Sequence, residues 1–213
     1  MDFLPADLTA YADAHTSPES EVLCRLNRET HAKVLHSRML SGHFQGRLLS
    51  MLVHMMRPRR ILEIGTYTGY SALCLAEGLA DDGLLITLDK NEELEDIARA
   101  AWQQSTYAQK IDLRLGDATK LIPEIDEVFD LVFIDADKQN YSVYFDLVID
   151  KVRPGGLMLA DNVLWSGKVV EPLKASDKDT PAVLAFNQKV QDDPRVENVL
   201  LPVRDGLMMI RKL

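Results

Sequence analysis

FDLVFIDADKQNYSVYF, residues 129–145, and GGLMLADNVLW, residues 155–165, decide how this chain is read. Each opens with an apolar run that stops at carboxylates, at Asp135 and Asp137 in the first and at Asp161 in the second, where Asn162 follows directly. Two such runs joined by a helix read as parallel strands of one sheet, with their carboxyl ends side by side. Asp135, Asp161 and Asn162 then converge at the edge where open α/β sheets bind ligands. Hard oxygen donors of this kind suit Mg²⁺, and Mn²⁺ or Ca²⁺ by the same chemistry.

Outward from that stretch, strands alternate with helices from Arg60 onward, the pattern of a mostly parallel sheet covered on both faces. Strands are predicted at 60–64, 84–88, 112–115, 130–134 and 157–160, and helices at 70–79, 92–104, 141–151 and 181–191. Pro154, Gly155 and Gly156 read as the turn before the fifth strand. Two last apolar runs, 196–203 and 207–211, are separated only by Arg204, Asp205 and Gly206. So short a connection makes a hairpin, and at least one of its strands is antiparallel to the rest. Before Arg60 the reading is helical: Leu4, Leu8 and Tyr11, then Val22, Leu23 and Leu26, recur at helix spacing. Pro18 reads as the start of the second helix and a third runs over about 44–56, after the break at Ser41 and Gly42. Residues 1–57 thus form a helical cap or dimerisation segment on an α/β core at 58–213, within one domain of 213 residues.

Composition narrows the function. With 24 Lys+Arg against 33 Asp+Glu the net charge is -9, which disfavours nucleic acid as a partner. Cys24 and Cys74 fall in helical patterns and read as small buried hydrophobes, so a reducing cytoplasm is the expected compartment. No apolar run of membrane-spanning length occurs and no membrane association is expected. The five His residues, at 15, 31, 36, 43 and 54, lie on the helical segments with no zinc spacing.

ILEIGTYTGYSALCLAEGL, residues 61–79, is a buried strand, a tight glycine turn and a helix. The dinucleotide fingerprint needs three glycines, and Tyr67 replaces the second, which argues against a pyrophosphate cradle and a nicotinamide-dependent oxidoreductase. Glu63 at the strand end suits the ammonium of an amino-acid-like ligand. Asp89, closing LLITLDK, sits where such folds bond ribose hydroxyls. Asp117 and Ala118, in LRLGDATKL, cross the same edge, where they border an adenine or Asp117 caps a helix. Trp165, Tyr144 and Met39 read equally well as an aromatic pocket and as packing.

Together EIGTYTGYS, LDK, GDA, FIDADKQNYSVYF and LMLADNVLWSG resemble the cation-dependent O-methyltransferases, the group of the catechol and caffeoyl-coenzyme A enzymes and small bacterial relatives. The resemblance covers roughly residues 38–213. It implies a Rossmann-like fold with a seven-stranded sheet and an antiparallel strand in the last hairpin, a homodimer, S-adenosylmethionine and a divalent cation. By the same resemblance Glu63 and the Gly65 turn hold the methionyl part of the cofactor, with Thr66, Ser71 and Ser41 as neighbours. Asp89 takes the ribose hydroxyls, and Asp117 with Ala118 borders the adenine. Asp135, Asp161 and Asn162 hold the metal, Asp137 is a cofactor-side contact, and Lys138 is the general base. The reaction implied is methyl transfer to one hydroxyl of a vicinal dihydroxy aromatic. Some bacterial proteins of similar sequence methylate 5-hydroxyuridine in transfer RNA, the alternative that a basic rim of Arg38, Arg47, Arg57, Arg59 and Arg60 would serve. A non-catalytic cofactor-binding module is a further alternative, disfavoured by the intact ligand set and Lys138.

Overall fold

A computed structural model describes residues 5–213; Leu4 of the predicted first helix lies outside them. The described chain falls into two compact units, one of residues 6–117 and one built on residues 118–213. The first holds α1 (Ala6–Ala14), α2 (Glu21–Lys33), α3 (Gly42–Met56), β1 (Arg60–Ile64), α4 (Tyr70–Ala76), β2 (Leu84–Asp89), α5 (Glu95–Trp102) and β3 (Ile111–Leu115). Its strand order is β3-β2-β1, all parallel, with Leu62 opposite Ile86 and Ile86 opposite Asp112. The second holds α6 (Ala118–Glu124), β4 (Phe129–Ile134), α7 (Tyr141–Ile149), β5 (Val152–Asp161), α8 (Asp179–Asp192), β6 (Val196–Leu201) and β7 (Leu207–Lys212). Here the order is β4-β5-β7-β6, with β4 and β5 parallel and β7 antiparallel to both its neighbours. This is the mostly parallel, seven-stranded class with an antiparallel C-terminal strand that the sequence predicts.

Burial explains the strands. Ile61, Leu62, Ile64, Leu131, Val132, Phe133 and Ile134 are all buried, on both faces of β1 and β4, as expected of parallel strands covered on two sides. In the first unit α2 and α3 pack on α4. Helix α2 starts at Ser20, whose side chain accepts the Leu23 N–H at 3.4 Å, and not at Pro18 as the sequence suggested. Leu23, Leu26 and Thr30 make its buried face.

Two further departures have physical causes. Pro154, Gly155 and Gly156 lie inside β5 and not in a turn before it. Val152 already pairs with Phe129, and the register then jumps so that Leu157 pairs with Leu131. The extra residues form a bulge, with Arg153 Nε donating to Asp130 Oδ1 at 2.6 Å. Helix α6 follows directly on Asp117, where one reading of the sequence placed a helix N-cap; no span was predicted for it, and it is seven residues long and contains Pro123.

The glycine turn after β1 is held by a steric constraint. Gly69 has φ +81°, and a Cβ placed there would lie 2.6 Å from the indole nitrogen of Trp102, which also donates to the Gly69 carbonyl at 3.0 Å. Gly69→Ala should therefore lower stability by about 2–4 kcal/mol, the sum of left-handed strain and overpacking. Gly42→Ala is the control, because φ there is +73° with nothing within 4 Å of a Cβ. Strain alone predicts a loss of about 1–2 kcal/mol. Urea midpoints check both, and equal shifts would refute the steric account.

Candidate active site

In the first unit Glu63, Gly65, Thr66 and Asp89 of the predicted cofactor residues gather at the carboxyl end of β1 and β2. Glu63 is fully buried near the end of β1, and its Oε2 accepts the Thr87 hydroxyl at 2.5 Å. Thr87 in turn lies 2.6 Å, oxygen to oxygen, from the hydroxyl of Thr66. A carboxylate buried in a strand is costly unless hydrogen-bonded, so Glu63 needs this threonine chain. Gly65 and Tyr67 have φ of 104° and 51°, which folds the turn tightly and directs its amides inward. Asp89 collects them: Oδ2 accepts the N–H groups of Thr66 at 3.0 Å and Tyr67 at 2.7 Å, and Oδ1 accepts that of Asn91 at 2.9 Å. The residue expected to meet ribose hydroxyls is thus also the clasp of the glycine turn. Ser71 and Ser41 are buried at the starts of α4 and α3. Asp117 follows Gly116, whose amide donates to the Asp89 carbonyl at 2.8 Å.

In the second unit β4 and β5 run in register, with Ile134 opposite Ala160, so Asp135 and Asp161 stand one step beyond on neighbouring strand ends. Lys138 lies between them, its Nζ 3.4 Å from Asp135 Oδ1 and 3.4 Å from the Asp161 carbonyl. It is almost fully buried, and the same ammonium donates to the Tyr141 hydroxyl. Burial first, and then the charge of Asp161, push the Asp135 carboxyl up to about 6, against the opposing pull of Lys138 and Arg204. Asn162 follows with φ 60°, and its N–H donates to Asp161 Oδ1 at 2.8 Å. Two mutually repelling carboxylates and an amide oxygen at one strand edge are a donor set that fits a hard divalent cation. Among the described residues no group of three or more His, Cys, Asp or Glu that could hold a metal ion is present; the expected set has two carboxylates, with Asn162 as the expected third donor.

Ala118 opens α6 and is buried. Asp137 is exposed and tied locally, accepting from Tyr144 Oη at 2.6 Å and from Asn140 Nδ2 at 2.5 Å. Tyr144 is itself buried and packs, whereas Met39 is 59 % exposed. Trp165 stands beside the site with Lys138 and Lys168 each 5.8 Å from its ring centroid.

Sequence reasoning missed three participants. Tyr141 is one, although its spacing of three from Lys138 across the 3-10 turn Lys138–Asn140 was visible. The others come from the β6–β7 hairpin. Asp205 Oδ1 accepts the Ser166 N–H at 2.5 Å, while the Asp205 and Gly206 carbonyls take the amides of Leu164 and Val163 at 2.9 and 3.1 Å. Arg204 adds its charge to the field at Asp135. Of the arginines proposed for a basic rim, Arg47 is withdrawn into an ion pair with Glu77 at 2.9 Å, and Arg59 pairs with Asp82 at 3.5 Å. No helix of the described residues is long and apolar enough to cross a membrane, and both cysteines are free.

The O-methyltransferase family model matches residues 13–213. The chain is 38 % identical over 197 residues to Caffeoyl-CoA O-methyltransferase 2 of Eucalyptus globulus, covering 87 % of this chain and 80 % of that one. It is 36 % identical to Caffeoyl-CoA O-methyltransferase 5 of Nicotiana tabacum, covering 87 % and 82 %. Among solved structures it resembles the SAH-bound Podospora anserina methyltransferase PaMTH1, with a TM-score of 0.90, 27 % identity and coverage of 100 % and 99 %. It also resembles the Bacillus cereus O-methyltransferase in complex with SAH, at 0.88, 30 %, and 97 % of each chain.

Proposed function

This chain belongs to the O-methyltransferase family, and from that premise we propose that it carries the methyl group of S-adenosylmethionine to one hydroxyl of a catechol-like, vicinal dihydroxy aromatic molecule, with a divalent cation, Mg²⁺ foremost, at Asp135, Asp161 and Asn162. The observation that carries the reading is the pair of strand ends that places Asp135 and Asp161 side by side with Lys138 between them. The SAH-bound neighbours support the methyl donor. The caffeoyl group in the relatives' names is a vicinal dihydroxy aromatic and supports the acceptor class.

Each residue has a task in this reading. Glu63, with Thr66, Ser71 and Ser41, receives the methionyl end of the donor, the Glu63 carboxylate meeting its ammonium. Asp89 meets the ribose hydroxyls while keeping the turn amides in place, and Asp117 and Ala118 border the adenine. Asp135, Asp161 and Asn162 hold the cation, which when bound acidifies a coordinated hydroxyl and orients it. Lys138, in its amine form, takes the hydroxyl proton at Nζ. Methyl transfer from a sulfonium needs an oxygen nucleophile in line with the sulfur at near-attack distance, so fixing the acceptor oxygen is where the chain's rigidity counts.

The test is methyl transfer to a panel of catechols with and without a chelator. Chelation should lower the rate about a hundredfold, and added Mg²⁺ should restore it. Transfer indifferent to chelator would sink the metal reading.

A further inference from the structure

We propose that Tyr141 is a positioning residue for Lys138, its hydroxyl fixing where the lysine nitrogen points at the end of β4. The proposal rests on the reading of Lys138 as proton acceptor. Lys138 Nζ has three hydrogen-bond partners here, Asp135 Oδ1, the Asp161 carbonyl and the Tyr141 hydroxyl. The first two contacts are 3.4 Å long, at the weak end of the hydrogen-bonding range, so the close contact to Tyr141 sets the position of the nitrogen. The phenol oxygen is itself held from the other side. Its proton reaches the Asp161 carbonyl at 2.9 Å and the Ile134 carbonyl at 3.3 Å, the backbone that precedes Asn162 and Asp135 respectively. The ring cannot drift either: Tyr141 is completely buried and lies edge-on to Phe186 of α8, 5.3 Å between centroids. One rigid side chain thus ties the lysine to both strand ends, and a small loss of aim there costs rate without costing substrate binding.

Tyr141→Phe removes only the oxygen. It should lower kcat about tenfold or more, with KM for S-adenosylmethionine and for catechol within about twofold of wild type. In a Lys138→Ala background the same substitution should change kcat by less than about twofold, because its effect passes through the lysine. A role in general stability would make the two losses multiply. Lys138 is also followed without turnover, by its rate of acetylation with acetic anhydride read by mass spectrometry. Tyr141→Phe should speed that labelling about threefold or more. Lys212, which donates to the Ile149 and Val152 carbonyls in the same unit, should label unchanged. Unaltered labelling of Lys138, or multiplying losses of kcat, overturns the proposal. A wild-type protein that methylates nothing rejects the methyl-transfer reading, and the labelling comparison alone then decides whether Tyr141 holds Lys138. Should Tyr141→Phe fail to fold, 4-aminophenylalanine at position 141 replaces it in the labelling comparison. Faster labelling of Lys138 is expected there, and an unchanged rate refutes the tie.

Discussion

Asp161→Asn should reduce methyl transfer about a thousandfold, and no excess of Mg²⁺ should restore it, because one of the two charges proposed to hold the cation is gone. The substitution keeps the size and shape of the side chain. An asparagine keeps the oxygen that accepts the Asn162 N–H at 2.8 Å. The metal-free protein should therefore melt no earlier than wild type. The sign follows from Asp135, whose carboxyl is raised from its ordinary 3.8 to about 6 by burial and by the Asp161 charge. A carboxyl raised on folding binds its proton more tightly in the native state, so metal-free stability falls as pH rises from about 4 to about 6. Removing the Asp161 charge shrinks that loss. Rates at saturating Mg²⁺ and melting curves with and without Mg²⁺ check both halves. Wild type should gain melting temperature with the ion, and the variant should not. A variant that keeps a tenth of wild-type activity would remove Asp161 from the ligand set.

Asp89→Ala should act twice. Its carboxylate accepts three backbone N–H groups, those of Thr66, Tyr67 and Asn91. Losing these charge-assisted bonds should destabilise the protein by about 2–4 kcal/mol. The slackened turn and the loss of the proposed ribose partner together should raise KM for S-adenosylmethionine about a hundredfold. Calorimetric melting and titration with S-adenosylhomocysteine separate the two effects. Unchanged melting would mean that the turn does not need its clasp, and unchanged affinity would remove Asp89 from the cofactor site.

What the sequence made legible, and what it hid, follows from the range of the interactions involved. The ends of β4 and β5 were readable because burial on two faces demands unbroken apolar runs, and Asp135 and Asp161 end them abruptly. The bulge in β5 was not, since Pro154, Gly155 and Gly156 carry the same local signal whether the chain turns or stays paired. Helix α6 was too short for periodicity to register. Tyr141 was legible only as the first residue of the helix predicted over 141–151, because nothing in a period of 3.6 distinguishes a packed ring from a ring whose hydroxyl meets a lysine. Arg47 looked like a surface cation, and only the fold brings Glu77 against it from α4's far end. Asp205 meets Ser166 across 39 residues, and the charge of Arg204 acts on Asp135 from further along the chain still, relations that no local pattern encodes.

The β6–β7 hairpin ties function to the order of synthesis. Val163, Leu164 and Ser166, the residues just past Asn162, owe their backbone partners to Asp205 and Gly206. A nascent chain on the ribosome could complete most of its helices and strands while this support still lay inside the exit tunnel. Chains cut short before Asp205 would then carry every expected cation ligand and yet lack the backbone partners of the segment after Asn162, which come only with Asp205 and Gly206.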